Sequence, residues 1–263
     1  WPFAQAHCAA KRTPWGWDFS GASNLDLLQS KLRQKFLVRR LKSEVLLELP
    51  SKRRQVIEIP ANGAAGAVAE ERRIYDSHRD YIAGLEEQLR DAEIAEAHDL
   101  LWDVDAEMVR GRLSSARKVA FEEMSAARHE VALAKVPHVV EHLESMLEEG
   151  PVVCFAHHRD VIAFLAEHFT GRCVTLTGET SMEARQLAVD AFQAGEKDLF
   201  IGNIQAAGVG ITLTRSSRVV FAELDWVPGN LSQAEDRCHR IGQTDSVLVQ
   251  HVVLEDSLDA EMV

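Results

Sequence analysis

The 263-residue sequence has no G-x-x-x-x-G-K-[ST] element, and none of its 15 glycines is followed by lysine. A chain without that turn has no phosphate cradle of its own built from successive backbone amides. There is also no acidic strand end of the D-E-x-H kind, so no magnesium site and no other metal site is expected in the chain. The four cysteines, Cys8, Cys154, Cys173 and Cys238, form no C-x-x-C pair, which argues against a zinc site or a disulfide framework. Single thiols in a chain of this size fit a reducing compartment. No apolar run approaches ~18 residues, so no membrane span is expected, and the start lacks a secretory-signal pattern. The expected location is intracellular: cytoplasm or nucleoid in a bacterium, nucleus in a eukaryote. Positive charge is in the minority: the formal net charge is −12. That excludes a simple basic nucleic-acid coat but leaves a local groove open. The opening WPFAQAHCAAKR reads like the middle of something, and the closing SLDAEMV like a helix cut short. A piece of a longer polypeptide is expected.

What is present is enough for a core, since 46% of the residues are hydrophobic. Residues 1–60 are aromatic, then basic. Trp15, Trp17 and Phe19, with Gly16 and Gly21, make a turn-rich segment. Leu25, Leu28, Leu32 and Phe36 give a helical period over Asn24–Leu41. Lys31, Arg33, Lys35, Arg39, Arg40, Lys42, Lys52, Arg53 and Arg54 stand against only Glu44 and Glu48. This run is either a solvated face or a phosphate-contacting segment. Arg54–Ile59 alternates like a strand. Residues 61–134 open on the small-residue linker ANGAAGA and continue as acidic helical text. Leu85, Leu89, Leu100, Leu101, Val104, Met108, Leu113, Val119 and Met124 give it intermittent apolar faces. A helical hairpin or protrusion is expected, with no sustained heptad to make it a regular coiled coil. Lys135–Leu147 reads as a separate amphipathic helix.

Residues 135–263 then alternate. Strands are expected at Pro151–Phe155, Cys173–Leu176, Leu199–Ile201, Val219–Phe221 and Val247–Val253, and helices at Val161–Phe169, Met182–Phe192 and Leu231–His239. Apolar strands alternating with helices predict a parallel sheet covered on both faces. Ligands of such sheets lie at the carboxyl ends of the strands, here residues 156–159, 177–180, 202–210 and 223–229. In the last helix, Gln233, Arg237 and Arg240 fall on one stripe. Two guanidiniums on one face suit a polyphosphate, although Glu235 and Asp236 beside them also allow plain surface ion pairs. Gly208-Val209-Gly210 by itself is a tight turn and fails as a dinucleotide fingerprint, lacking the third glycine.

Taken together, the motifs are more specific. FAELDWVPGNLSQAEDRCHRIGQ at 221–243 resembles the closing motifs of the Swi/Snf-type helicase-like ATPases of superfamily two. VVCFAHHRDVIAFL at 152–165, LTGETSMEARQLAVDAFQ at 176–193 and IGNIQAAGVGITLT at 201–214 agree in order. KRTPWGWDFSGASNL and FLVRRLKSEVLLELPSKRRQV resemble the region before the second lobe in the annealing-helicase branch. The resemblance implies a RecA-like parallel sheet with helices on both faces and an inserted helical protrusion. It implies the second of two motor lobes, with ATP and Mg2+ held between them and the metal on the absent first lobe. This piece alone would bind no cofactor and turn over no ATP. The resemblance assigns Arg237 and Arg240 as arginine fingers and Gly208, Gly210 and Gln233 to the nucleotide side. Thr177, Gly178, Asn203, Gln205 and Trp226 fall where the family meets double-stranded or forked DNA. Two positions depart from the pattern: Ala207 stands where many members have a second glycine, and Gln205 where a hydroxyl or basic residue is common. The rival expectation is a non-catalytic DNA- or protein-interaction module that recruits a partner through its acidic helices.

Overall fold

The computed structural model describes residues 1–13, 16–38, 40, 42–46, 48–97, 105–208 and 210–263. Trp15, Arg39, Leu41, Leu100, Leu101, Val104 and Val209, all named in the sequence reading, lie outside the described residues. In chain order the elements are α1 (Pro2–His7), β1 (Lys11–Thr13), β2 (Gly16–Asp18), α2 (Leu25–Lys35), α3 (Lys42–Val45), β3 (Lys52–Ile59), α4 (Ala65–Ala97) and α5 (Ala106–Glu149). They continue with β4 (Val152–Ala156), α6 (Arg159–His168), β5 (Cys173–Leu176), α7 (Met182–Ala194), β6 (Leu199–Asn203), α8 (Ile204–Ala207), β7 (Arg218–Phe221), α9 (Pro228–Glu235), β8 (Val247–Leu254) and α10 (Leu258–Met262).

Two compact units result, Trp1–Glu48 and Leu49–Val263. In the first, β1 and β2 form an antiparallel hairpin with Arg12 opposite Trp17. Phe19 stacks with both Trp1 and Trp17, at 5.4 and 6.1 Å between ring centroids. The helix expected over 24–41 stops at Lys35, because the amides of Phe36 and Leu37 both fold back onto the Leu32 carbonyl.

The second unit is built on six parallel strands in the order β3-β8-β7-β4-β6-β5. Side chains alternate across it, as the two-residue period of a strand requires. Val152, Cys154 and Ala156 face one core with α6 and the last turns of α5, while Val153 and Phe155 face the other with α7 and α9. Both faces are therefore covered, as the unbroken apolar strands predicted. Local signals set the helix ends. Ser181 Oγ accepts the Ala184 amide at the start of α7, and Gly195, at φ 85°, closes it in the left-handed region open to glycine.

The sequence reading grouped β3 with the leading segment, but it is an edge strand of this sheet, paired along its whole length with β8. The separate helix expected from Lys135 does not exist: α5 runs unbroken through that point, with Pro137 inside it. The helix survives the missing N–H because its last turns are buried, with Val139 and Leu143 in the sheet's core. Farther out, α4 and α5 pack on each other as a hairpin through Leu85, Ala92, Ala95, Val109, Leu113 and Ala120. Met108 and Val119, counted as apolar face from sequence, are instead exposed.

Candidate functional site

The arginine stretch is shaped by a helix that ends early. α9 stops at Glu235 rather than at His239. The amides of Arg237 and Cys238 then bond the carbonyls three residues back, Ala234 and Glu235, so the chain tightens into turns. Arg237 and Arg240 consequently lie beyond the helix, not on a shared helical stripe with Gln233. Gln233 is exposed, and its backbone carbonyl receives Arg237 Nε at 3.2 Å.

Both arginines turn onto the loop after β6. Arg237 donates to the carbonyls of Gly208 and Ile211, and Arg240 Nη1 donates to Ile211 at 3.1 Å. The Leu213 amide returns a bond to the Arg237 carbonyl at 2.9 Å. The glycine turn and the arginines thus form one corner. Among the described residues, neither guanidinium has a carboxylate within ion-pair distance. Burial, and then the neighbouring Arg240 charge, push the Arg237 pKa below its ordinary value against the opposing pull of Asp236. Two adjacent cations backed only by carbonyl oxygens form a site that an anion would relieve. Gly210, exposed at φ 76° with open space around it, lets the turn bend there.

Ala207, the departure from the two-glycine pattern, is buried and points into the protein. A Cβ on Gly202 would come 2.8 Å from the Ala207 Cβ, so the glycine in β6 is what makes room for the alanine. Gln243 had no role in the sequence reading, yet it pins the whole stretch. Its Nε2 donates to the carbonyls of Thr214, Ser216 and Cys238, and its Oε1 accepts the amides of Thr244 and Asp245. No spacing rule points to such a residue, since its partners come from three separate turns.

Glu235 does not pair with the arginines beside it in sequence. It is buried and receives Lys52 Nζ at 2.6 Å and Arg54 Nε at 2.8 Å. Burial alone would raise its pKa, but the Arg54 and Lys52 bonds outweigh that and hold the carboxyl below the usual range. Two of the cations in the basic run are therefore engaged in clamping β3 to α9.

The carboxyl ends of β4, β5, β6 and β7 gather the remaining candidates. Asn203 caps α8, its Oδ1 accepting the Gln205 and Ala206 amides at 3.1 Å, while its Nδ2 donates to the His157 carbonyl at 2.7 Å. Its side chain is spent on joining β6 to β4. Gln205 is exposed and donates to Asp225 Oδ2 at 3.3 Å. Thr177 and Gly178 sit on the turn after β5, where the Thr177 amide bonds Thr180 Oγ1 at 2.9 Å and Gly178 is exposed. Arg185, which the sequence reading passed over, ties these loops together. Its guanidinium donates to the carbonyls of Thr180, Ala206 and Thr177 at 2.9, 3.1 and 3.2 Å. Glu223, also missed, accepts the amides of His157 and His158 at 2.8 and 2.9 Å and bonds His158 Nδ1. These contacts hold its carboxyl below the usual range although it is buried. Trp226 is 41% exposed at the corner after β7. The structure thus joins the turn of Thr177 and Gly178 to α8, which Asn203 caps and Gln205 ties to Asp225, through Arg185, and separately sets Arg237 and Arg240 against the turn of Gly208 and Gly210.

Comparison with known proteins gives this geometry its relatives. Residues 134–242 match the helicase conserved C-terminal domain. The SWI/SNF-related matrix-associated actin-dependent regulator of chromatin subfamily A-like protein 1 of Xenopus tropicalis is 36% identical over 263 residues, covering 98% of this chain and 25% of the relative. The DNA annealing helicase and endonuclease ZRANB3 of Mus musculus is 33% identical over 270 residues, covering 99% of this chain and 22% of the relative. The chain thus spans about a quarter of the length of the curated relatives it matches. In fold it is similar to the Sulfolobus solfataricus SWI2/SNF2 ATPase core in complex with dsDNA, with TM-score 0.55, 19% identity, and coverage of 92% of this chain and 50% of that one. It is also similar to the C-terminal part of the Fun30 ATPase domain, with TM-score 0.50, 18% identity, and coverage of 81% and 88%. The parallel sheet covered on both faces accordingly has the RecA-like fold of these neighbours, residues 134–242 carry the helicase conserved C-terminal domain, and the chain as a whole is similar to SWI/SNF-related annealing helicases.

Proposed function

We propose that this chain is the second motor lobe of an ATP-dependent double-stranded-DNA translocase of the annealing-helicase type. In this reading it supplies Arg237 and Arg240 to an ATP site shared with a first lobe. The observation that carries it is the pair of arginines that face the glycine turn and have no carboxylate partner among the described residues, in a chain with no phosphate cradle. The residues present fit an anionic ligand. Among the described residues, Arg237 keeps two of its five N–H donors, and Arg240 four, beyond those bonded to backbone carbonyls. When bound, ATP supplies a phosphoanhydride whose hydrolysis drives movement, with Mg2+ held by the first lobe. Arg237 and Arg240 stabilise the negative charge that grows in that reaction, an effect worth ~10³-fold or more in rate. Gly208 and Gly210 hold the backbone turn against them, and the Gln233 carbonyl aims Arg237.

Duplex or forked DNA is assigned to the strand-end face. Thr177, Gly178 and Gln205 present small polar groups and backbone there, with Asn203 shaping the loop and Trp226 at its edge. Contacts of this kind go to phosphates and carry no base information, so the grip is independent of sequence. Closure of the two lobes on ATP and reopening after hydrolysis would step them along one strand.

The test is Arg240→Ala in the intact enzyme. ATP hydrolysis is expected to fall by ~10³-fold or more while duplex affinity holds, since the Arg240 side chain makes a single hydrogen bond among the described residues. Equal loss of both activities would mark Arg240 as structural. ATP turnover by the purified 263-residue chain, dependent on DNA, would overturn the two-lobe reading.

A further inference from the structure

Arg128, on α5, reaches from the hairpin to the loop after β7. Its guanidinium carbon lies 4.5 Å from the centroid of the Trp226 ring. Nη2 donates to the Leu224 carbonyl at 2.9 Å and to Asp259 Oδ1 at 2.7 Å. Asp259 is itself held on its other oxygen by the buried Lys135, at 3.0 Å, and Lys135 is anchored on the Val252 carbonyl at 2.8 Å. The Arg128 side chain is only 11% exposed, so the guanidinium is fixed by a ring, a carbonyl and a carboxylate together. The next residue along α5, His129, stacks on His158 at 4.4 Å and bonds Asp160 at 2.6 Å. Two successive residues of the hairpin thus engage the loops after β7 and β4, the region assigned to DNA.

A surface indole with no such neighbour samples several rotamers. A planar guanidinium lying over it selects one orientation, which a lysine ammonium cannot do in the same way. We propose that Arg128 is a positioning residue: it holds Trp226 in the orientation that meets duplex DNA, and so joins the helical hairpin to the DNA grip of the lobe. This rests on the reading of Trp226 as a duplex contact.

The experiment uses the 263-residue chain with a fluorescently labelled duplex of mixed sequence at low salt, read by anisotropy. Trp226 emission is read as the part of the tryptophan spectrum that Trp226→Ala removes. Arg128→Lys, which keeps a charge opposite Asp259, is expected to shift that emission and to weaken duplex binding at least about two- to fivefold, the range for a cation–π contact that solvent still reaches. In the Trp226→Ala background the same change is expected to cost nothing further. Should Arg128→Lys melt early, Arg128→Met, which keeps the aliphatic stem, is expected to behave alike. If either Arg128 variant adds its loss to that of Trp226→Ala, or leaves emission and affinity unchanged, the assignment of Arg128 falls while the duplex reading stands. If the parent does not bind the duplex, or Trp226→Ala binds as the parent does, the duplex reading falls and takes the proposal with it.

Discussion

Replacing Glu235 by glutamine removes the buried charge that joins the edge strand β3 to the helix leading into the arginine corner, leaving Lys52 its longer pairing with Asp236 at 3.4 Å. Glu235 is 1% exposed and takes three bonds, from Lys52 Nζ at 2.6 Å and from Arg54 Nε and Nη2, both at 2.8 Å. Removing one partner of a fully buried pair costs about 3–5 kcal/mol. Here the side chains of Lys52 and Arg54 are 20% and 54% exposed, so once freed both can hydrate. Glutamine also keeps one carbonyl oxygen for them. A loss of about 2 kcal/mol is therefore expected, or about 4–8 °C in melting temperature for a domain of this size. The assay is urea unfolding of parent and variant across pH. The native Glu235 pKa is depressed, so its stabilisation is fully present above the unfolded value of about 4.3 and is lost as pH falls through the native value. The gap between parent and variant should therefore be constant near neutrality and close in acid. A loss under about 0.5 kcal/mol at neutral pH, the ordinary scale of an exposed pair, would refute the clamp. A gap that persists unchanged into acid would refute the assignment of the effect to the carboxylate.

Two more substitutions probe the loop after β6. Gly202→Ala would place a Cβ 2.8 Å from that of Ala207 and 3.1 Å from the Phe200 ring, so a destabilisation of about 1–3 kcal/mol in urea is expected; a neutral result would mean that Ala207 does not depend on the missing Cβ. Asn203→Ala removes both the cap of α8 and the bond to the His157 carbonyl, and is expected to cost about 1–2 kcal/mol. Faster amide exchange at Gln205 and Ala206 would confirm that the loop, rather than the sheet, has loosened.

The carboxyl-end loops were legible because their residues are local in sequence. Polar or glycine-bearing text follows each apolar strand, and the parallel architecture places such text on one edge. Arg185, Glu223 and Gln243 were not legible. Their partners lie in other loops, and no periodicity marks a side chain that bonds carbonyls 5, 8 and 21 residues away, as Arg185 does. Periodicity also misled in one place. The i, i+4, i+7 spacing of Gln233, Arg237 and Arg240 fits a helical stripe, but the helix ends at Glu235. The arginines converge through turns that the carbonyls of Gly208 and Ile211 and the side chain of Gln243 stabilise.

By itself the sequence determined the alternation of strands and helices, the covering of the sheet on both faces and the likeness of the closing motifs to SWI/SNF-related proteins. These depend on side-chain period and on short patterns that each segment carries within itself. Tertiary structure alone decided the placing of β3 at the sheet's edge, since a strand's neighbours depend on what else competes for its hydrogen bonds. It also decided that Lys52 and Arg54 of the basic run serve Glu235, and that Arg237 and Arg240 share a corner with the glycine turn. Charges separated by some 180 residues meet only when the sheet closes, because a carboxylate taken out of water is stable only where the fold delivers cations to it.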